Sequence, residues 1–175
     1  GNDTLNFANS ITVVRVQGDA GSDLMSIESA VWGSTLFGGT DEDSFYFGST
    51  IADGYVSMDA GSDLAVFHDQ VSGDASIYGG AGGDTLMFNQ SVDAGITVDA
   101  GVGDDSVFFS LAQTSTTVLA GAGNDTITFS STVSAAQVNL GAGQDSIVFN
   151  AVVNDTSLVG GGGIQTIQFS SANDL

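Results

Sequence analysis

Aspartate recurs in this chain with a period that chemistry can use. Asp3, Asp23, Asp43, Asp63, Asp84, Asp105, Asp125 and Asp145 are spaced by 20 residues, or by 21 in two intervals, and Gln165 stands at the next position. A carboxylate returning at nearly constant spacing implies a structural unit that brings equivalent positions into one row. Glycines accompany it: Gly21, Gly61, Gly80, Gly82, Gly121, Gly123, Gly141 and Gly143 lie two or four residues upstream. If the units stack at the spacing of β-strands, about 4.8 Å, neighbouring carboxylates in a partly dehydrated turn repel one another. Cations between them remove the repulsion. Calcium suits such a row, because it takes six to eight oxygen ligands from carboxylates and backbone carbonyls. Glycine lets the backbone reach positive φ and turn carbonyls toward an ion. The expected ligand set is therefore these eight aspartates and eight glycines, with Ca2+ as the cofactor.

Composition agrees with a need for external cations. The chain of 175 residues has 21 acidic residues, one arginine, no lysine and a formal net charge of -20. One arginine cannot answer that many carboxylates. Nucleic acid is excluded as a partner, since phosphate binding needs Lys and Arg, and an anionic membrane surface is disfavoured for the same reason. No apolar run approaches the roughly 18 residues of a membrane span, so membrane insertion is not expected. The hydrophobic fraction of 42% is that of a folded protein, not of a disordered acidic tail. There is no cysteine, so disulfides play no part.

The elements that position the aspartates follow from the same period. Four residues after each comes Phe7, Ile27, Phe47, Phe67, Phe88, Phe109, Phe129, Phe149 or Phe169. Within Asp125-Thr126-Ile127-Thr128-Phe129 apolar and polar residues alternate, the pattern of a strand with one buried face. A second alternating stretch follows, as in Gln137-Val138-Asn139-Leu140. Between the two lies a short segment anchored by Ile11, Val31, Ile51, Val71, Val92, Val133 or Val153. A unit this small cannot bury its apolar face alone, so units must stack. The expected fold is all-β: a right-handed parallel β-solenoid of about nine coils, handedness following from the rule for parallel connections. It spans residues 1–175 as one repeat domain. Because the chain opens inside a turn and ends partway through a coil, it is expected to belong to a longer protein or to an end-to-end assembly. The turns Asp19-Ala20-Gly21, Asp59-Ala60-Gly61 and Asp99-Ala100-Gly101 alternate with turns such as Phe37-Gly38-Gly39 and Leu119-Ala120-Gly121, except at Leu140-Gly141-Ala142-Gly143, which suggests duplication of a two-coil unit.

Gly79-Gly80-Ala81-Gly82-Gly83-Asp84-Thr85-Leu86-Met87 resembles the nonapeptide G-G-x-G-x-D-x-U-x of the RTX, or haemolysin-type, calcium-binding repeats. Ala120-Gly121-Ala122-Gly123-Asn124-Asp125 and Leu140-Gly141-Ala142-Gly143-Gln144-Asp145 are close variants. The resemblance implies a parallel β-roll with calcium in its turns, secreted or displayed at the surface of a bacterial cell and folding on meeting external calcium. The chain departs from that family in its 20-residue coil and in carrying the motif on one edge only. The opposite edge varies, as in Gly33-Ser34, Asp53-Gly54 and Ala135-Ala136. One row of ions is expected, ending before Gln165.

No residue pattern points to catalysis. His68 has no second histidine or cysteine and reads as a surface residue; Arg15 is expected in a local ion pair. Paired carboxylates such as Asp104-Asp105 read as turn residues. Tyr46, Val66, Met87 and Phe108 should face outward from consecutive strands, a stripe that could support self-association, as could the strand edges at the ends. The leading expectation is a calcium-stabilised extracellular structural protein of a surface layer, filament or adhesin. The alternative is a non-catalytic accessory or ligand-binding module. Ice binding is disfavoured, since the turn column Ala20, Thr40, Ala60, Ala81, Val102, Ala122, Ala142 and Gly162 holds a single threonine.

Overall fold

The computed structural model describes residues 1–170. Nine four-residue strands, from Thr4–Phe7 to Thr166–Phe169, form one parallel sheet in chain order. Eight more, from Arg15–Ala20 to Ser157–Val159, form a second sheet. Two-residue strands make a third side: Ile11–Thr12, Val31–Trp32, Ile51–Ala52 and Val71–Ser72 in one ladder, Gln113–Thr114, Val133–Ser134 and Val153–Asn154 in another. Neighbouring strands are one coil apart in sequence, so the chain is a parallel β-solenoid with a three-sided section. None of the described residues is helical.

Alternation explains which side chains fill the interior. In Thr126–Phe129, Ile127 and Phe129 are buried while Thr126 is exposed. The phenylalanine column becomes a stack of rings inside the solenoid. Phe67 and Phe88 are 4.6 Å apart between centroids and 3° from parallel; Phe88 and Phe109 are 4.9 Å apart. The second sheet adds Val56, Ile77, Val98, Val118 and Val138 from the other side, and the third side closes the core with Val31, Ile51, Val71, Val92 and Val133.

The two 21-residue coils differ from the others on the third side. The connections from Val71 to Ser76 and from Val92 to Thr97 each hold one residue more than the one from Ile51 to Tyr55. The third ladder breaks there, leaving the isolated bridge between Val71 and Val92. Gln113 repairs the gap. This buried side chain stands where other coils place a valine or isoleucine. Its Oε1 accepts from the Val92 N–H at 3.1 Å, and its Nε2 donates to the Leu111 carbonyl at 2.9 Å. A side-chain amide thus satisfies a backbone group that the ladder no longer reaches.

The register corrects one expectation. Asp19 and Asp59 pair with Gly39 in the turn, at positive φ. Asp99 instead pairs with Tyr78 and Leu119, inside a strand, and Gly101 takes the turn place beside Gly80 and Gly121. Asp99 lies six residues before its ladder aspartate, against four for Asp19 and Asp59. The two-coil alternation therefore holds for two turns only.

Coils stack so closely at the turns that a side chain there has no room. Gly82 holds φ +135, and a Cβ on it would fall on the carbonyl oxygen of Gly61 in the preceding turn. Gly95 also has positive φ, +88, but nothing lies within 4 Å of its Cβ position. Gly82→Ala adds a backbone collision to a strain of about 1–3 kcal/mol, whereas Gly95→Ala carries the strain alone. Urea denaturation in the presence of calcium is expected to show the larger loss for Gly82→Ala. Equal losses would mean that turn stacking does not require that glycine.

Candidate metal centre

The ladder aspartates point into the solenoid instead of standing on its surface. Asp23, Asp43, Asp63, Asp84, Asp105, Asp125 and Asp145 are all buried, each at most 5% exposed, while Asp3 on the first turn is exposed. One carboxylate oxygen of each is tied to the stack. The N–H of Asp63 donates to Asp84 Oδ1 at 2.9 Å, that of Asp84 to Asp105 Oδ1 at 2.7 Å, and that of Asp105 to Asp125 Oδ1 at 2.9 Å. The same bond links Asp3 to Asp23, Asp23 to Asp43, Asp43 to Asp63 and Asp125 to Asp145. Each side chain therefore reaches back toward the turn before it.

The other oxygen has nothing. Oδ2 of all seven buried aspartates is shielded from solvent and accepts no hydrogen bond. A buried carboxylate oxygen without a donor is costly unless the group is protonated or meets a cation. Burial pushes Asp63 and Asp105 up to about 7 and Asp84 to about 6; the N–H bond from the preceding aspartate opposes this. For Asp63 and Asp105 the neighbouring carboxylates add to the rise. Asp43 and Asp125 are raised by the same burial. Without a cation, Asp63 and Asp105 would hold protons near neutrality.

The oxygens that could complete a cation shell belong to the backbone. Among the described residues no three His, Cys, Asp or Glu side chains gather round one point. Turns two to eight each supply one buried carboxylate, and their carbonyls point along the stack. The oxygens of Gly61, Gly80, Gly82, Gly121, Gly123, Gly141 and Gly143 crowd the Cβ positions of glycines in the next turn, so they point forward. The oxygens of Ala81, Val102, Ala122, Ala142 and Gly162 point the other way, accepting from Gly61, Gly82, Gly103, Gly123 and Gly143 N–H groups. Each turn thus offers carbonyl oxygens pointing both ways along the stack, and the Oδ2 atoms of Asp23, Asp43 and Asp84 lie near the carbonyls of Gly38, Met58 and Ala100; an all-oxygen donor set of this kind fits calcium. The backward-pointing column was absent from the sequence expectation, because a carbonyl on an alanine or valine carries no mark in sequence.

Other expectations resolve as follows. His68 is exposed, with Nδ1 3.2 Å from Asn89 Nδ2. Arg15 forms no ion pair with the described residues, against expectation; its guanidinium lies 4.9 Å from the centre of the Phe37 ring, a cation–π arrangement. Asp104 is exposed and accepts from the Asn124 N–H at 2.7 Å, so it ties adjacent turns on the outer side. The stripe is contiguous, since Tyr46, Val66, Met87 and Phe108 are successive register partners. Its neighbours cover Val66, leaving it 8% exposed against 36% for Tyr46. The column of Ala20, Thr40, Ala60, Ala81, Val102, Ala122, Ala142 and Gly162 is exposed along its whole length and in register from turn to turn.

No protein-family model matches the chain. No curated protein matches it either. Among solved structures it is similar to a hyperactive, Ca2+-dependent, β-helical antifreeze protein from an Antarctic bacterium, with a TM-score of 0.74 and 24% identity over 95% of this chain. The chain spans 58% of the length of that one, and the likeness establishes a shared parallel β-solenoid fold.

Proposed function

We propose that this chain is a calcium-stabilised, non-catalytic structural solenoid that works outside the cell, as an element of a surface layer, filament or adhesin. The observation that carries the reading is the row of seven buried Asp Oδ2 atoms without hydrogen-bond partners, set among backbone carbonyls. Asp23, Asp43, Asp63, Asp84, Asp105, Asp125 and Asp145 would hold the ions, with Asp3 at the exposed first turn. Carbonyls of Gly21, Gly61, Gly82, Gly123 and Gly143, and of Gly80, Gly121 and Gly141, would complete the shells. Calcium would neutralise carboxylates that the single arginine cannot reach. The neighbour described as Ca2+-dependent supports this, as does the resemblance of the turns to RTX repeats. A protein whose fold is marginal without calcium is poorly held where calcium is scarce, which favours folding after export. The stripe of Tyr46, Val66, Met87 and Phe108 offers such an element a lateral contact.

The test is circular dichroism of the apo protein in EDTA, followed by calcium titration. The expected result is a β-rich spectrum that melts at a far lower temperature in EDTA than in millimolar calcium. A β spectrum that is equally heat-stable in EDTA and in calcium would sink the proposal.

The antifreeze neighbour and the exposed, in-register turn column favour one second reading, ice binding. That column is mostly alanine, with Thr40 its one hydroxyl. No thermal hysteresis is expected from the calcium-loaded protein in nanolitre osmometry, and measurable hysteresis would replace the structural reading.

A further inference from the structure

The ninth turn departs from the others at the centre of the site. Gln165 stands in the aspartate column, and its Oε1 accepts from the Asp145 N–H at 3.0 Å, the bond that Oδ1 makes in each of the seven coils before it. With Oε1 in the place of Oδ1, Nε2 is the terminal atom left over, as Oδ2 is in an aspartate. It donates to the carbonyl of Gly143 at 3.3 Å and to that of Gly162 at 3.1 Å. Gly143 O points forward from the eighth turn; Gly162 O points back from the ninth. An amide nitrogen bridging two carbonyl oxygens that face each other does what a cation between them would do, without one.

We propose that the ninth turn is a latent calcium site, closed by the Gln165 carboxamide, which takes the place of both the carboxylate and the ion. The inference rests on the calcium reading of the earlier turns. Two consequences follow from the chemistry. The ninth turn keeps its polar groups satisfied in calcium-free solvent, where the seven before it cannot. It also marks the ligands of the others, since by register the pair Gly143 O and Gly162 O corresponds to Gly123 O and Ala142 O beside Asp145. An aspartate at 165 would restore the composition of those turns.

Calcium bound per chain, measured by equilibrium dialysis against 45Ca2+, is the direct test. Gln165→Asp is expected to bind one ion more than the wild type. Gln165→Glu keeps the side-chain length and replaces Nε2 with an oxygen; it is expected to gain the same ion and, in EDTA, to expose the last strand to amide exchange. Gln165→Leu, which offers no ligand, is expected to match the wild type. A wild type that binds calcium while neither acidic variant gains an ion overturns the latent site and leaves the earlier turns standing. A wild type that binds none overturns the calcium reading itself.

Discussion

Phe88→Ala is expected to destabilise the calcium-loaded protein by about 3–5 kcal/mol, the usual cost of emptying a large aromatic site in a core that cannot collapse. Phe88 is buried and stacked on both sides, 4.6 Å from Phe67 and 4.9 Å from Phe109. Its loss removes two ring contacts, each worth about 0.5–1.5 kcal/mol beyond area burial. The turns above and below hold the coil spacing, so the cavity cannot close. Phe169 has one ring neighbour, Phe149 at 5.3 Å, and is 50% exposed. Phe169→Ala is expected to cost less than about half as much, because most of its surface already faces solvent. A solenoid's stability is close to a sum over nearest neighbours. Cutting the middle of the stack should therefore also uncouple its halves, lowering the urea m-value or splitting the transition in two. Equal losses for the two variants, each in one unchanged transition, would show that the ring stack does not carry the cooperativity.

Much of this architecture was legible because a solenoid writes one coil over and over. The interval between Asp63 and Asp84 measures a coil, and the position of Phe67 between them gives the inward face. What stayed hidden falls into two kinds. Irregular coils carry no comparison: Gln113 breaks the valine column, and only the structure shows its amide standing in for a ladder bond. Asp99 looked like a turn residue because Asp-Ala-Gly recurs, yet its distance from Asp105 places it in a strand. The second kind concerns direction. The Asp84 period says that carboxylates form a row, but not that one oxygen is tied to the Asp63 N–H while the other is left bare. Backbone carbonyls such as Ala81 O leave no trace in sequence, so half of the candidate shell was out of reach. Arg15 was misassigned for a related reason: a surplus of acid made an ion pair seem inevitable, whereas its guanidinium lies over the Phe37 ring, two residues along from its register partner Thr35.

In EDTA, acid should stabilise this protein, the reverse of ordinary acid denaturation. Burial, with help from neighbouring carboxylates, holds Asp63 and Asp105 near 7, and burial holds Asp84 near 6; their unfolded value is 3.8. Between those limits the folded chain binds more protons than the unfolded chain. Stability then falls as pH rises through the window and grows as pH drops from about 7 toward 4. Protons would take the role assigned to calcium. In excess calcium the sign changes, because protons compete with the ion for the same oxygens, so acid weakens binding. Melting temperatures measured across this range should converge: well above neutrality the calcium form melts far higher, and near pH 4 the gap closes. The net charge of -20 gives a general trend of the same sign in EDTA, since acid also relieves self-repulsion. Asp105→Asn separates the two effects. It keeps an oxygen that accepts from the Asp84 N–H and removes one buried charge. At pH 8 it is expected to melt higher than wild type in EDTA and lower in calcium, while Asp69→Asn, at an exposed site, should do neither to a comparable degree. An Asp105→Asn variant that loses stability equally in both solvents would mean that the carboxylate is needed for its hydrogen bonds alone, and the case for a cation beside it would fall.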